Sequence, residues 1–399
     1  MMPYLERHQG PRPFELLAQL KATAWTCASI NAAACARFTP RLYVHTSKSQ
    51  MRPKCLTQPI KNSQANYLRE RLAVKTAVEL VEVLQHPILT LFDTVNPYMN
   101  SFDLWEITTL YQECIGSTYW YLETNPLGRP AQIWPLPSQL VQMRPDADGF
   151  TYSFNGQEYT QDQIIHFRYP DPYYPYGPGL SPLRAAYNEA RMSTSYAELK
   201  LAKFDNRAAP DVIISPTEAI GEDERERLET QWNNKFRRGG NGRALVAESG
   251  LQIEVLNSQM GDLAALAEKG KNSEDICNAF HVPLSMLSTN TNLANLQASE
   301  TQHSRVCLQP RLIRRDEKLN EQLIPLYDQS GRLKLCSDNP EAEDNEYNWR
   351  MADTAAKYGL WTINELRDMT GLPAVPWGDI PCTPQPDPSA SPRATTPPA

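Results

Sequence analysis

Glu222, Asp223 and Glu224 are three carboxylates in a row, the side chains that hold Mg²⁺ in metal-dependent nucleases. Arg225 and Arg227 interleave with them on one helix turn, and that arrangement reads as a solvated charged face. Asp146-Ala147-Asp148-Gly149 opens like a calcium loop, but the position that needs a bidentate Glu is Gln157. A turn before a strand accounts for the aspartates. Arg238-Gly239-Gly240-Asn241-Gly242-Arg243 has the glycines of a phosphate cradle, yet it lacks Gly-Lys-Ser/Thr and precedes a strand. In Gly179-Leu180-Ser181-Pro182 the serine is placed as in a nucleophile elbow. The closing glycine is missing, and the proline removes the N–H an oxyanion hole would use. The histidines at 8, 45, 86, 166, 281 and 303 show no paired metal-binding spacing. No catalytic set, metal or cofactor is expected.

The elements that carry these residues are more informative. Ser181 can cap a helix and Pro182 suits its first position. Leu183, Tyr187, Ala190, Thr194, Ala197, Leu201 and Phe204 then recur at spacings of four and three, drawing one stripe along a rod. Val212-Ile213-Ile214 reads as a strand stopped by Ser215-Pro216, Glu222 to Arg238 as a charged helix ended by Gly239-Gly240, and Ala244–Val246 and Leu251–Val255 as two further strands. From Gly261 the chain turns helical again through Leu263, Leu266, Ile276 and Phe280, closing on His281-Val282-Pro283. Two amphipathic rods thus bracket a small β-α-β-β head. Elsewhere, Asn155-Gly156 between Phe150–Phe154 and Gln157–Thr160 marks a hairpin. Pro310 should kink a helix running from Glu300 to Leu326. Asp353 to Tyr358 and Asn364 to Met369 read as short helices, with Thr362 as a cap, and the proline-rich tail from Pro376 as disordered.

At 399 residues and 41% hydrophobic content the chain can form two or three packed units. The longest apolar stretch, Ala22 to Ala36, is interrupted by Thr, Ser and Asn and is too short for a bilayer, and no secretory leader follows Met1, so no membrane partner is expected. Cysteines at 27, 35, 55, 114, 277, 307, 336 and 382 form no C-x-x-C pair, which favours free thiols in a reducing compartment.

Several segments, taken in order, resemble the portal proteins of tailed bacteriophages. These are Ala24–Ile30 through Ala36–Tyr43, His86-Pro87-Ile88-Leu89 with Asn96-Pro97, and Gly116–Tyr121 followed by Gly128-Arg129-Pro130 and Pro135-Leu136-Pro137. They continue with Ile164–Arg168, Gly179–Leu183, Val282-Pro283, Pro310, and Asn364–Arg367 before Gly371-Leu372-Pro373. The likeness spans residues 22 to 380. It departs at Ser117 and Gln297 and in the proline-rich tail.

The resemblance implies an α+β portal-type architecture with a β-rich wing, a two-helix stem, a small αβ clip and a helical crown. In this numbering the N-terminal helix and wing would take 1–180, the first stem helix 181–207, the clip 208–258 and the second stem helix 259–281. A tunnel-loop region at 282–297, a kinked helix returning to the wing at 298–350, crown helices at 351–375 and the tail at 376–399 would follow. Ser288, Thr289, Asn290, Thr291, Asn292 and Asn295 fall where the family places its tunnel loop. Glu222, Glu226, Arg237 and Arg238 would lie on the clip's docking surface. The implied partners are further copies in a ring of twelve, double-stranded viral DNA, the terminase large subunit, and capsid, scaffold and head-completion adaptor proteins. The implied place is a capsid vertex, after assembly in the host cytoplasm. A metal-dependent nucleic-acid-processing enzyme and a minor capsid protein are the alternatives.

Charge fits a conduit that DNA slides through. The first 80 residues hold twelve Lys or Arg against four Asp or Glu, so with a chain total of −7 the remainder carries −15. A protein that grips duplex DNA neutralises phosphates with cations, and that footprint is missing overall.

Overall fold

The computed structural model describes residues 10–46, 56–60, 62–72, 79–146, 149–205, 212–216, 221, 223, 226, 227, 230, 251–255, 259–288, 292–341, 345–369 and 372–382. The N-terminal part begins with α1 (Pro13–Ala18), α2 (Ala22–Ala36), β1 (Arg41–Thr46), β2 (Thr57–Pro59), α3 (Asn62–Arg71), β3 (Glu79–Val83), α4 (Pro87–Asp93) and α5 (Ser101–Ile115). Strands β4 (Ser117–Thr124), β5 (Pro130–Leu136), β6 (Gln142–Asp146), β7 (Gly149–Phe154), β8 (Gln157–Tyr159) and β9 (Ile164–Arg168) follow. Beyond them lie α6 (Pro182–Ala185), α7 (Tyr187–Asp205), β10 (Val212–Pro216), β11 (Leu251–Val255) and α8 (Gln259–Phe280). The chain continues with α9 (Leu293–His303), a π-turn (Ser304–Leu308), α10 (Gln309–Gln322), β12 (Leu333–Cys336), α11 (Asn345–Lys357) and α12 (Ile363–Met369). The class is α+β.

Antiparallel sheets frame the body. One has the order β12-β1-β3-β2, so a strand from the last quarter of the chain closes onto the first. A second, β5-β4-β9, is buried on both faces: Trp120 and Leu122 enter the main core, while Tyr119 packs with Leu136, Tyr152 and Ile164. Trp105, Trp120 and Phe167 form the aromatic centre of that core, with rings 4.7–5.2 Å apart in tilted or edge-on contacts. In the third, β6-β7-β8, Phe154 pairs with Gln157 around Asn155 (φ 52°) and Gly156 (φ 82°), the hairpin that the Asn-Gly step predicts.

Helix α2 buries Ala24, Cys27, Ala28, Asn31, Ala32 and Cys35 on one face, and these small side chains allow its close approach to α5. Helix α5 ends at Gly116 in the left-handed conformation (φ 98°). There it meets Gly179, also left-handed (φ 97°). A Cβ on either glycine would stand 2.6 Å from a backbone oxygen of the other. Ser117 donates to the Pro178 carbonyl, and Ser181 donates to Cys114 O at 2.9 Å while accepting from Arg184 N at 2.9 Å. The Ser181 hydroxyl is therefore a buried cap.

The expected rod from 181 begins at Pro182 but is not continuous. Ala186 (ψ 26°) separates α6 from α7: α6 is pinned to α5 through Ser181, α7 follows α8, and the turn between them absorbs the change of axis. Leu183 and Phe280 share one cluster, and Val212 pairs with Val255, so the two helices run antiparallel with a strand pair at the far end. The stripe is covered only over its first half. Leu183 and Ala190 are buried, whereas Ala197 and Leu201 are exposed. Strand β10 runs through Pro216 rather than stopping before it, since the end of an edge strand needs no N–H there. The expected helix to Arg238 and the Ala244–Val246 strand lie largely outside the described residues.

Later expectations shift as well. The rod expected at 300–326 starts at Leu293 and ends at Gln322. Pro310, which cannot bond back to the residue-306 carbonyl, is accommodated by the π-turn before it. Helix α11 starts at Asn345, before the expected Asp353. Thr362 caps α12, as expected, and Glu365 completes a reciprocal pair by accepting from Thr362 N. Residues 376–382 are held, contrary to the expected disorder: Asn364 bonds Val375 and Asp379, and Cys382 N donates to Trp361 O at 3.0 Å.

Gly116→Ala and Gly179→Ala should each cost roughly 2 kcal/mol or more, because positive φ and a backbone clash add. Gly128→Ala, at φ 73° in open space, should cost about 1 kcal/mol. Urea denaturation of the three variants measures the difference.

Candidate channel segment and the anchor at its root

The polar segment after α8 is rooted by hydroxyls. Val282 is buried, a 3-10 turn spans Leu284–Met286, and Ser285 Oγ lies 2.5 Å from Ser299 Oγ, which also donates to Asn295 O at 2.7 Å. Ser288 is exposed at the end of this turn. Thr289, Asn290 and Thr291 lie outside the described residues. Asn292 occupies the N-cap position of α9, where its carbonyl accepts from Leu296 N at 2.9 Å, and its side chain makes no capping bond. Asn295 is exposed on the first turn of that helix. The expected loop at 282–297 is therefore helical from Leu293, and Asn295 belongs to a helix. Leu293 is 67% exposed beside it. Of the expected docking residues, Glu226 is exposed on a helical stretch between β10 and β11; Glu222, Arg237 and Arg238 lie outside the described residues. Asp223 is exposed near Glu226.

The root of this segment is a buried polar cluster that sequence reasoning missed. Glu113, on the last turn of α5, is fully buried. Arg311 of α10 binds it bidentately, with Nε to Oε1 at 2.7 Å and Nη2 to Oε2 at 3.1 Å. Tyr169 OH donates to Oε1 at 2.5 Å and Asn31 Nδ2 to Oε2 at 3.1 Å. The same Asn31 and Arg311 nitrogens reach Phe280 O, the last carbonyl of α8, at 2.9 and 3.3 Å. Arg311 Nη1 adds Cys307 O at 2.9 Å. A cation at a helix C-terminus is stabilised by the negative end of the dipole. Helix α8 then stops in a 6→1 bond from Val282 N to Cys277 O, with His281 left-handed at φ 59°, a conformation in which histidine is tolerated better than most side chains.

Both Asn31 Nδ2 bonds go to acceptors, so Oδ1 must accept. It takes His303 Nε2 at 2.9 Å and the Cys307 thiol at 3.2 Å. That fixes His303 as the Nε2–H tautomer. Burial, followed by the Arg311 charge, lowers its pKa to about 4. The Tyr169 hydroxyl is pushed well above the usual range, by burial first and then by Glu113. Next along α10, Arg315 bonds Cys35 O, Phe38 O and Ser337 Oγ and lies 4.5 Å above the Trp105 ring, while Asp316 accepts from Ser337 N at 2.6 Å. The signals that could have found the cluster are weak ones: an Asn within the alanine-rich face of α2, and a Glu on an apolar helix end.

Residues 70–371 match the family model described as phage portal protein. The portal protein of Enterobacteria phage HK97 is 23% identical over 308 residues, 71% of this chain and 69% of that protein. The fold is similar to a chain in the neck of a native gene transfer agent particle computed with C12 symmetry (TM-score 0.59, 19% identity, 92% of this chain and 95% of that one). It is also similar to an HK97-family phage portal protein from Corynebacterium diphtheriae (TM-score 0.54, 14% identity, 81% and 94%).

Arg311→Met should destabilise the chain by roughly 3–5 kcal/mol, because it strands a buried carboxylate, and adding Glu113→Gln should restore a substantial part. His303 stays neutral in the fold while the unfolded chain takes up a proton near pH 6.5. Stability should therefore fall as pH drops from about 6.5 toward 4, and His303→Gln should flatten that fall in thermal-unfolding midpoints.

Proposed function

Because the chain belongs to the phage portal protein family, we propose that it is a structural subunit of a ring seated at one capsid vertex, through which viral DNA is packaged and later ejected. The observation that carries this reading is the family match across residues 70–371. The shared fold with a neck component of a gene transfer agent particle computed with C12 symmetry supports twelve copies and a place in the virion, after assembly in the host cytoplasm. A closed ring joins subunits head to tail, so each copy needs two different complementary faces. Exposed Trp25, Leu201, Leu293 and Trp377 are apolar groups such faces would cover.

In this reading the chain does no chemistry, and the energy for packaging comes from the terminase. The strand pair and the insert carrying Glu226 form the clip that meets the terminase and then head-completion adaptors. Helices α7 and α8 form the stem, and the 288–295 segment faces DNA with uncharged amide and hydroxyl groups. Twelve copies at −7 each give a ring of about −80, so contact with phosphate is weak and non-specific, as a sliding conduit requires.

Native mass spectrometry of the purified chain should show a closed assembly near twelve copies of 45.2 kDa. A species that remains monomeric or dimeric at every concentration and salt would overturn the reading. Linear duplex DNA should pass unretained over the immobilised ring at about 150 mM salt, where exposed charge contacts are screened.

A further inference from the structure

Along α2, Cys27, Asn31 and Cys35 are spaced by four and share the face turned toward α8 and the π-turn. Asn31 belongs to the anchor. Cys27, one turn earlier, meets Cys277 of α8: both side chains are fully buried and their sulfurs lie 3.7 Å apart, with the Cys27 S–H donating. Among the described residues no other two thiols make such a contact; Cys307 bonds Asn31 and the Phe280 carbonyl, and Cys336 bonds Ser337 O. Glu274, Asp275 and Asn278, on the same turns of α8 as Cys277, are exposed.

We propose that Cys27 and Cys277 are a latent disulfide that a small two-electron oxidant, hydrogen peroxide, closes to join the N-terminal helix α2 covalently to the end of α8. The Cys277 thiolate attacks one peroxide oxygen and the O–O bond breaks, leaving a sulfenic acid and a hydroxide that is protonated to water. Cys27 sulfur then attacks the sulfenic sulfur; the S–S bond forms, and the displaced hydroxyl leaves as a second water with the Cys27 proton. Two thiols lose two electrons and one peroxide becomes two waters. The hydrogen bond from Cys27 lowers the Cys277 pKa and raises that of Cys27, in keeping with Cys277 as the attacking sulfur. The sulfurs, already in contact at 3.7 Å, must close to the ~2.05 Å of a disulfide.

The biological sense of the latch rests on the proposed function: a subunit assembled in a reducing cytoplasm meets oxidant once the particle is outside the cell. The chemistry does not depend on that reading. The test uses the full chain carrying Cys55→Ser and Cys382→Ser, treated with hydrogen peroxide or with a thiol reductant, then denatured, alkylated and mapped by mass spectrometry. The expected result is a linked Cys27–Cys277 peptide pair, a loss of about 2 Da, a monomer on a non-reducing gel, and a thermal midpoint raised by about 5 °C or more. Cys277→Ala should abolish the linked species; if that variant fails to fold, the map of the parent decides alone. Free or separately oxidised thiols at both positions, or a link from Cys27 to Cys307, overturns the proposal. The link is read on denatured chains and ring formation on native ones. An intact ring without the link sinks only the latch, and a linked chain that never forms rings sinks only the portal reading.

Discussion

A carboxylate with no exposed surface imposes a stricter condition than any apolar contact in this protein. Glu113 is removed from water completely, and the desolvation cost is several kcal/mol unless a counter-charge and further donors meet it in good geometry. Arg311, Tyr169 and Asn31 do so, and each comes from a different part of the chain. Satisfying one side chain therefore requires α2, α5, the segment after β9 and α10 to assemble in a single arrangement. Because Arg311 and Asn31 also hold the Phe280 carbonyl, that arrangement sets where α8 ends.

The surrounding packing alone would permit more freedom. The buried face of α2 is alanine and cysteine, which allows close approach but defines no axial position. Leucine and aromatic side chains fill the main core, and such cores accept several packings of similar volume. Directional polar bonds remove the ambiguity here. The second charged group on α10, Arg315 with Asp316, acts likewise on the Cys35 carbonyl of α2, the Phe38 carbonyl just beyond it, and the chain just past β12. Just past Glu113, at the same end of α5, Gly116 and Gly179 bring two backbones into contact, which a side chain on either would prevent.

What the sequence conveyed followed how local each cause is. The caps at Ser181 and Thr362 and the Asn155-Gly156 hairpin each depend on a few consecutive residues, and each is present. Order along the chain conveyed the family. The anchor was invisible because its members are separated by up to 280 residues and each is an ordinary residue in its own neighbourhood. The stripe along α6 and α7 is legible as a pattern, but periodicity does not say how much of it a neighbour covers, and Leu201 is exposed. Asn295 was placed in a loop because a run of Ser, Thr and Asn disfavours regular structure in isolation. In the chain, the helix that carries His303 to the anchor starts two residues before it, at Leu293.

The early loss of cover along α7 has an evolutionary corollary. Among the described residues of the outer α7, Ala197, Glu198, Lys200 and Leu201 are exposed and take no part in the cluster around Phe280. Whole turns added to or deleted from α7 and α8 in step would change the reach of the paired helices and leave their seating in place.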